Sequence, residues 1–330
     1  MTVFLTHTPE AFAGYYGERA RAALAAMTGV RMNPTGRVLS PEDLAREAQG
    51  CAIIVSDRQT AAPAEFFAAA PESLVAYLRC AVDIRNIDVA AASRAGILVT
   101  RATPGFAASV AELALGYMLD LARGVSSAVL EYRAGRIPQA RMGRQLGGST
   151  LGIIGYGVIA QHLARIAVAI GMRVLVNDPY KTITDEGVTQ TSQGEVLREA
   201  DFLVCLAVAT EETENLMGAS AFAAMKPSAF FINLSRGNLV DEAALAEALD
   251  AGRIAGAAMD VGRALDQMPS PALARRADVV ATPHTGGLTP SAVEHQAFDT
   301  VEQVRALLAG AVPPGAVNAV EATRLSRLRG

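Results

Sequence analysis

The sequence predicts an α/β fold of two doubly wound parallel-sheet lobes, and three observations carry that expectation. Short apolar runs alternate with helical patterns along the chain, the signature of parallel strands covered by helices. One stretch, Thr150 to Tyr180, reads as a complete strand, glycine turn, helix, strand and acid. At 330 residues the chain can bury two cores, and sequence on both sides brackets the glycine stretch.

The runs Val3 to Leu5, Arg37 to Leu39, Ala52 to Val55, Val75 to Leu78 and Ile97 to Thr100 are the expected strands of the first lobe. One helix is expected within Glu10 to Met27, and another is opened by Ser40-Pro41-Glu42-Asp43. After Thr103-Pro104-Gly105 a long helix is expected from Ser109 towards Arg133. Its apolar side carries Val110, Leu113, Leu115, Met118, Leu119 and Leu121, and it closes at Ala134-Gly135. Beyond Asp178 the runs Phe202 to Leu206, Phe230 to Ile232, Ala257 to Met259 and Val279 to Ala281 resume the alternation. Helical patterns at Glu195 to Glu199, Ala219 to Met225 and Glu242 to Ala251 separate them. A nucleotide domain over 102–286 is therefore expected, with 1–101 and 287–330 forming the other domain. Helix Ser291 to Ala309 crosses back, and the basic tail Arg324 to Arg329 reads as a solvated end.

Each small residue of the glycine stretch has a physical task. Gly155 permits the tight turn out of the strand Leu151 to Ile154, Gly157 lets the backbone approach a pyrophosphate, and Ala160 allows close helix packing. The helix N-terminus offers unpaired N–H groups and a positive dipole end to phosphates. Asp178, which ends the strand Val174 to Val176, stands 21 residues after Gly157 (178 − 157). A carboxylate there accepts from ribose hydroxyls and repels a 2′-phosphate, so NAD is expected rather than NADP.

Composition narrows the classes further. Hydrophobic residues at 51% and charged residues at 19% exclude disorder, and a net charge of −4 gives no footprint for nucleic acid. Cys51, Cys80 and Cys205 are an odd number in apolar contexts without metal spacing, as expected of reduced buried thiols in a cytoplasmic protein. No basic leader and no run of membrane-spanning length is present, so export and membrane insertion are not expected.

Ligands of open parallel sheets bind at the carboxyl ends of strands. Arg236 follows a strand directly, beside Gly237, where a guanidinium can hold a carboxylate bidentately and polarise a carbonyl. A surface salt bridge is the plainer alternative for an isolated arginine. His284, in Thr282-Pro283-His284, follows the last strand and suits proton exchange at a carbonyl/hydroxyl pair. His7, His162 and His295 read as structural or surface residues.

These residues carry a resemblance that covers essentially the whole chain. Asn86-Ile-Asp88, Thr103-Pro-Gly105, Val110-Ala-Glu112, Gly152 to Ala160, Met225-Lys226, Asn233 to Asp241, Gly256 to Val261 and Thr282-Pro-His284 are the matching segments. The chain resembles the D-isomer-specific 2-hydroxyacid dehydrogenase family, which includes phosphoglycerate dehydrogenase, hydroxypyruvate reductase and formate dehydrogenase. The resemblance implies a Rossmann NAD-binding domain inserted into a flavodoxin-like substrate domain, and a homodimer formed through the NAD-binding domain. It implies hydride transfer between nicotinamide and C2 of a small 2-hydroxy or 2-oxo acid, with Arg236 as carboxylate clamp and His284 as acid/base. Implied cofactor contacts are Gly155, Tyr156, Gly157, Val158, Ile159, Asp178, Pro179, Leu206, Ala207, Thr213, Leu234, Ser235, Arg236, Asp260, His284 and Gly286.

Three departures stand beside it. At the family's histidine-pairing Glu this chain has Leu265, with Asp266 next as the replacement to examine. The substrate loop has Ala81 and Asp83 at the family's glycine positions, leaving the Val82 and Asp83 amides to hold substrate. The family's His-x-Pro reads Leu206-Ala207-Val208. Arg58 and Arg101 are further cations that read equally as substrate contacts or as surface charge. The altered site keeps a rival reading open: an NAD-binding regulator or scaffold that has lost turnover.

Overall fold

The computed structural model describes residues 1–328. The chain divides into two compact units, Met1–Gly105 with Pro290–Gly330, and Phe106–Thr289. The first holds five strands, β1 (Thr2–Leu5), β2 (Gly29–Met32), β3 (Ile53–Ser56), β4 (Ala76–Arg79) and β5 (Leu98–Arg101), in the order β2-β1-β3-β4-β5. Its pairings are all parallel. Central β3 and β4 are buried on both faces, which is why they read as continuous apolar runs rather than alternations.

The second unit holds β6 (Thr150–Ile154), β7 (Arg173–Asn177), β8 (Val188–Gln190), β9 (Phe202–Cys205), β10 (Phe230–Asn233), β11 (Gly256–Met259) and β12 (Val279–Ala281). They form one parallel sheet in the order β12-β11-β10-β9-β6-β7-β8, with apolar clusters on both faces. The order reverses at β6, where the chain turns one way to β7 and β8 and the other way to β9. That is the switch point at which a doubly wound sheet opens its ligand crevice.

Several expectations need correction. The stretch Glu10 to Met27 folds as two helices, Pro9–Tyr15 and Glu18–Ala25, parted at Gly17 with φ 87°. The long helix from Ser109 likewise breaks into Ala107–Arg123 and Val125–Arg133, bent by 67° at the left-handed Gly124. Leu119, assigned to its apolar side, is exposed. Arg37 to Leu39 is no strand. The edge strand is Gly29–Met32, and Asn33 turns the chain after it by donating to Thr6 O and Arg37 O. The tail is not a solvated end. Thr323–Leu328 winds as a 3-10 helix, Arg324 donates to Pro71 O and Leu74 O, and Leu325 and Leu328 pack on the first unit's core. Arg329 lies outside the described residues. Among the described residues no single helix is long and apolar enough to cross a membrane.

Candidate active site

The glycine turn is fixed by contacts far along the chain. Gly155 has φ 88°, and a Cβ there would lie 2.6 Å from Ala207 Cα and N, at the end of β9. Only glycine meets both demands. At Gly157 a Cβ would meet nothing within 4 Å, so the space before the helix Val158–Ala169 is open for close approach. Ala160 is fully buried, as tight packing of that helix requires. Asp178 directly follows β7 and is tied to the turn: Oδ2 accepts from Tyr156 N at 2.8 Å and Oδ1 from Tyr180 N at 2.9 Å. Each carboxylate oxygen offers two lone pairs, so acceptor capacity remains for a ribose hydroxyl. An open helix N-terminus beside an acid at the switch point fits a dinucleotide.

Other expected cofactor contacts surround this edge with differing duties. Ala207 O accepts from Ser235 Oγ at 2.6 Å, joining the loops after β9 and β10. Leu206 N donates to Ile154 O. Thr213 Oγ1 is engaged in its own turn, with Val208 O at 2.8 Å. Val158 and Pro179 are exposed, Ile159 is half-buried, and Leu234 is buried.

The loop after β10 is shaped by Asn233, fully buried, whose Nδ2 donates to Arg236 O at 3.0 Å while Oδ1 accepts from Ser235 N. Arg236 is thereby held extended and half-buried, with Nη1 donating to Ser235 O at 2.7 Å. Gly237 permits the next contact: a Cβ there would lie 2.0 Å from Gly262 O, so the loops after β10 and β11 touch backbone to backbone.

The loop after β12 hangs on Asp260. This buried carboxylate accepts from Thr282 Oγ1 at 2.5 Å and Thr285 N at 2.8 Å through Oδ1, and from Gly286 N at 2.8 Å through Oδ2. Tyr117 bonds Thr282 from the other side, and burial raises its hydroxyl pKa, so it stays protonated. His284, between these anchors, has φ 56°. Its Nδ1 lies 3.0 Å from the main-chain carbonyl of Asp266. A carbonyl only accepts, so Nδ1 carries the hydrogen and Nε2 is the nitrogen left to exchange a proton.

Asp266 thus reaches His284 through its backbone, from a loop in which Asp266 and Gln267 both have left-handed φ. Leu265 is exposed. Arg236 and His284 stand on one sheet edge, two strands apart, or roughly 10 Å at the usual spacing. Sequence reading missed Tyr117, Thr282 and Asn233 as supports. Only Asn233, three residues before Arg236, carried a legible turn signal.

In the first unit the loop after β4 carries Ala81, Val82 and Asp83. Arg85 grips the Asp83 carboxylate bidentately, Nη2 to Oδ2 at 2.6 Å and Nε to Oδ1 at 3.0 Å, so a nearby cation offsets its charge. Arg58 O accepts from Asn86 Nδ2 at 3.0 Å. Of the other histidines, His7 is buried, His162 pairs with Arg165, and His295 contacts Thr103 Oγ1.

Residues 115–286 match the family described as D-isomer specific 2-hydroxyacid dehydrogenase, NAD binding domain. D-3-phosphoglycerate dehydrogenase of Synechocystis sp. is 37% identical over 73% of this chain and 44% of its own length. Hydroxypyruvate reductase of Thermotoga maritima is 35% identical over 71% of this chain and 78% of its own. The crystal structure of the TT0316 protein from Thermus thermophilus superposes with a TM-score of 0.82 at 30% identity, covering 96% of this chain and 100% of that one. The chain spans about half the length of the phosphoglycerate dehydrogenases it matches. With the doubly wound sheet, the glycine turn and the NAD-binding match in agreement, the chain belongs to the D-isomer-specific 2-hydroxyacid dehydrogenase family.

Proposed function

We propose that the protein is an NAD-dependent cytoplasmic oxidoreductase acting at C2 of a small D-2-hydroxy or 2-oxo acid. The bound cofactor supplies or accepts the hydride. In oxidation, His284 Nε2 takes the hydroxyl proton as the hydride leaves C2. In reduction, the protonated ring returns that proton to the oxygen. The Arg236 guanidinium holds the substrate carboxylate and stabilises charge on the reacting oxygen. Asp260 keeps the His284 loop in place, and the Val82 and Asp83 amides with Arg58 are the first unit's contribution to substrate binding. The observation that most supports the reading is the hydrogen bond from His284 Nδ1 to the Asp266 carbonyl, which leaves Nε2 available for proton exchange. Three buried cysteines without a disulfide suit a reducing compartment.

A homodimer through the NAD-binding unit is part of the proposal. Leu130, Tyr132, Ile137 (90% exposed) and Met142 (100% exposed) leave apolar side chains uncovered on that unit, and a second copy is the occupant proposed for them.

The test is NADH oxidation against glyoxylate, hydroxypyruvate, pyruvate and phosphohydroxypyruvate. His284→Ala should lower turnover by ~10²–10⁴ while leaving NADH affinity, read by fluorescence, within about twofold. Silence on every acid by a protein that still binds NADH would favour the non-catalytic regulator instead.

A further inference from the structure

The His284 ring bonds a main-chain carbonyl, so whatever fixes the loop of Asp266 also fixes which ring nitrogen holds the proton. That loop is closed on itself. Gly262 N donates to Gln267 O at 2.8 Å, and Ala264 N donates to Met268 O at 3.0 Å. A Cβ at Gly262 would lie 2.5 Å from Pro269 Cα, so the two ends of the loop meet with no space between them. Residues 264–268 therefore stand as one turn on Gly262 and Arg263.

Arg263 fastens this turn to the rest of the sheet edge. Its main-chain N–H donates to Glu242 Oε1 at 3.0 Å, and its Nε donates to Val240 O at 3.1 Å. Nη2 shares its hydrogens among Glu214 Oε1 at 2.8 Å, Asn215 Oδ1 at 2.6 Å and Asn238 O at 3.1 Å. One guanidinium thus joins the loops that follow β9, β10 and β11. Asn238 is two residues from Arg236, and Asp266 is three residues from Arg263.

The plainer reading is an exposed ion pair with Glu214, whose carboxyl the arginine holds below its usual range, and such pairs contribute little. Two observations oppose it. Three of the four side-chain acceptors, Val240 O, Asn215 Oδ1 and Asn238 O, are neutral, and only a planar fork can meet acceptors spread over three loops. Among the described residues, the non-glycine residues with left-handed φ are Asn215, Asp266, Gln267 and His284. Arg263 bonds the first, its turn holds the next two, and the fourth bonds Asp266. Backbone of that kind persists where its surroundings over-determine it, and here the guanidinium is the shared contact.

We propose that Arg263 is a positioning residue, whose fork holds the Asp266 carbonyl under His284 and so keeps the ring proton on Nδ1. The role rests on His284 as the acid/base. With exposed Leu265 in place of a carboxylate, the orientation of the ring comes from the backbone, and Arg263 anchors that backbone.

The full chain carries four histidines, so ring-¹⁵N-labelled protein gives four imidazole patterns, and His284→Ala assigns one. At a pH where the ring is neutral, wild type should show the proton on Nδ1 alone. In Arg263→Ala and in the charge-conserving Arg263→Lys it should be shared between both nitrogens, with turnover lower by roughly two- to tenfold. Glu214→Gln, which removes the charge and keeps an acceptor, should show the wild-type pattern. The wild-type pattern in either arginine variant, with thermal melting showing an intact fold, overturns the proposal. So does recovery in Arg263→Lys with loss in Glu214→Gln, because the ion pair alone would then hold the loop. Turnover on the same samples keeps this role apart from the reading it rests on. Wild-type turnover with unmoved tautomers in the variants removes only Arg263, and the expected tautomers without turnover on any acid remove only the dehydrogenase.

Discussion

Acidification should destabilise the first unit through His7. The ring is buried beside Tyr16, and burial, with Arg79 adding to it and Asp57 opposing it, lowers its pKa from 6.5 to about 4. The folded ring therefore refuses a proton that the unfolded chain accepts throughout the window between these values. Stability must fall as pH drops through that window and stay level above it. The full linkage is about 3 kcal/mol, from a gap of about 2.5 pH units at 1.36 kcal/mol each. Between pH 7 and pH 5 the same values give a loss of about 2 kcal/mol. His7→Phe keeps an aromatic ring against Tyr16 and removes the titration. Amide exchange in β1 and β3, which reports the first unit by itself, should show wild type losing about 2 kcal/mol more than His7→Phe over that interval. Parallel losses in the two proteins would refute the argument, and a larger loss in the variant would reverse its sign.

Three more outcomes follow from the second unit. Asp178→Ala should weaken NADH binding by roughly 10- to 100-fold, the worth of hydrogen bonds to a charged acceptor, and narrow the preference over NADPH; titrating both cofactors by fluorescence checks it. Gly237→Ala pushes a Cβ to 2.0 Å from Gly262 O, so the loops after β10 and β11 must separate; thermal melting should fall by several degrees and turnover should drop with it. Leu130→Asp with Met142→Asp should give monomers by sedimentation, and an unchanged assembly would discard that face as the dimer surface.

What was legible in the sequence was local. The glycine unit was readable because its demands fall within about thirty residues: a strand, a turn, a helix and an acid at fixed offsets. Arg236 and His284 could be picked out because each directly follows an apolar run. What was hidden came from distant contacts or from the backbone. Gly155 owes its lack of a side chain as much to Ala207 as to its own turn, and nothing near Gly155 in the chain says so. Whether Asp266 meets His284 by side chain or carbonyl depends on left-handed φ angles that residue types do not announce. The basic tail docks because Arg324 reaches the carbonyls of Pro71 and Leu74, some 250 residues earlier. The edge strand Gly29–Met32 is short and half-exposed, so its periodicity was too weak to outrank Arg37 to Leu39.

Asp266 (φ 54°), Gln267 (φ 59°) and His284 (φ 56°) gather left-handed backbone around the proposed acid/base. Each costs about 1 kcal/mol against an ordinary conformation, so this corner is less relaxed than a glycine version of itself would be. Selection for heat resistance alone would find Asp266→Gly and Gln267→Gly attractive. The same changes would let the carbonyl that aims the imidazole wander, so thermostable descendants of this chain should divide into those that kept the tension and those that lost the chemistry.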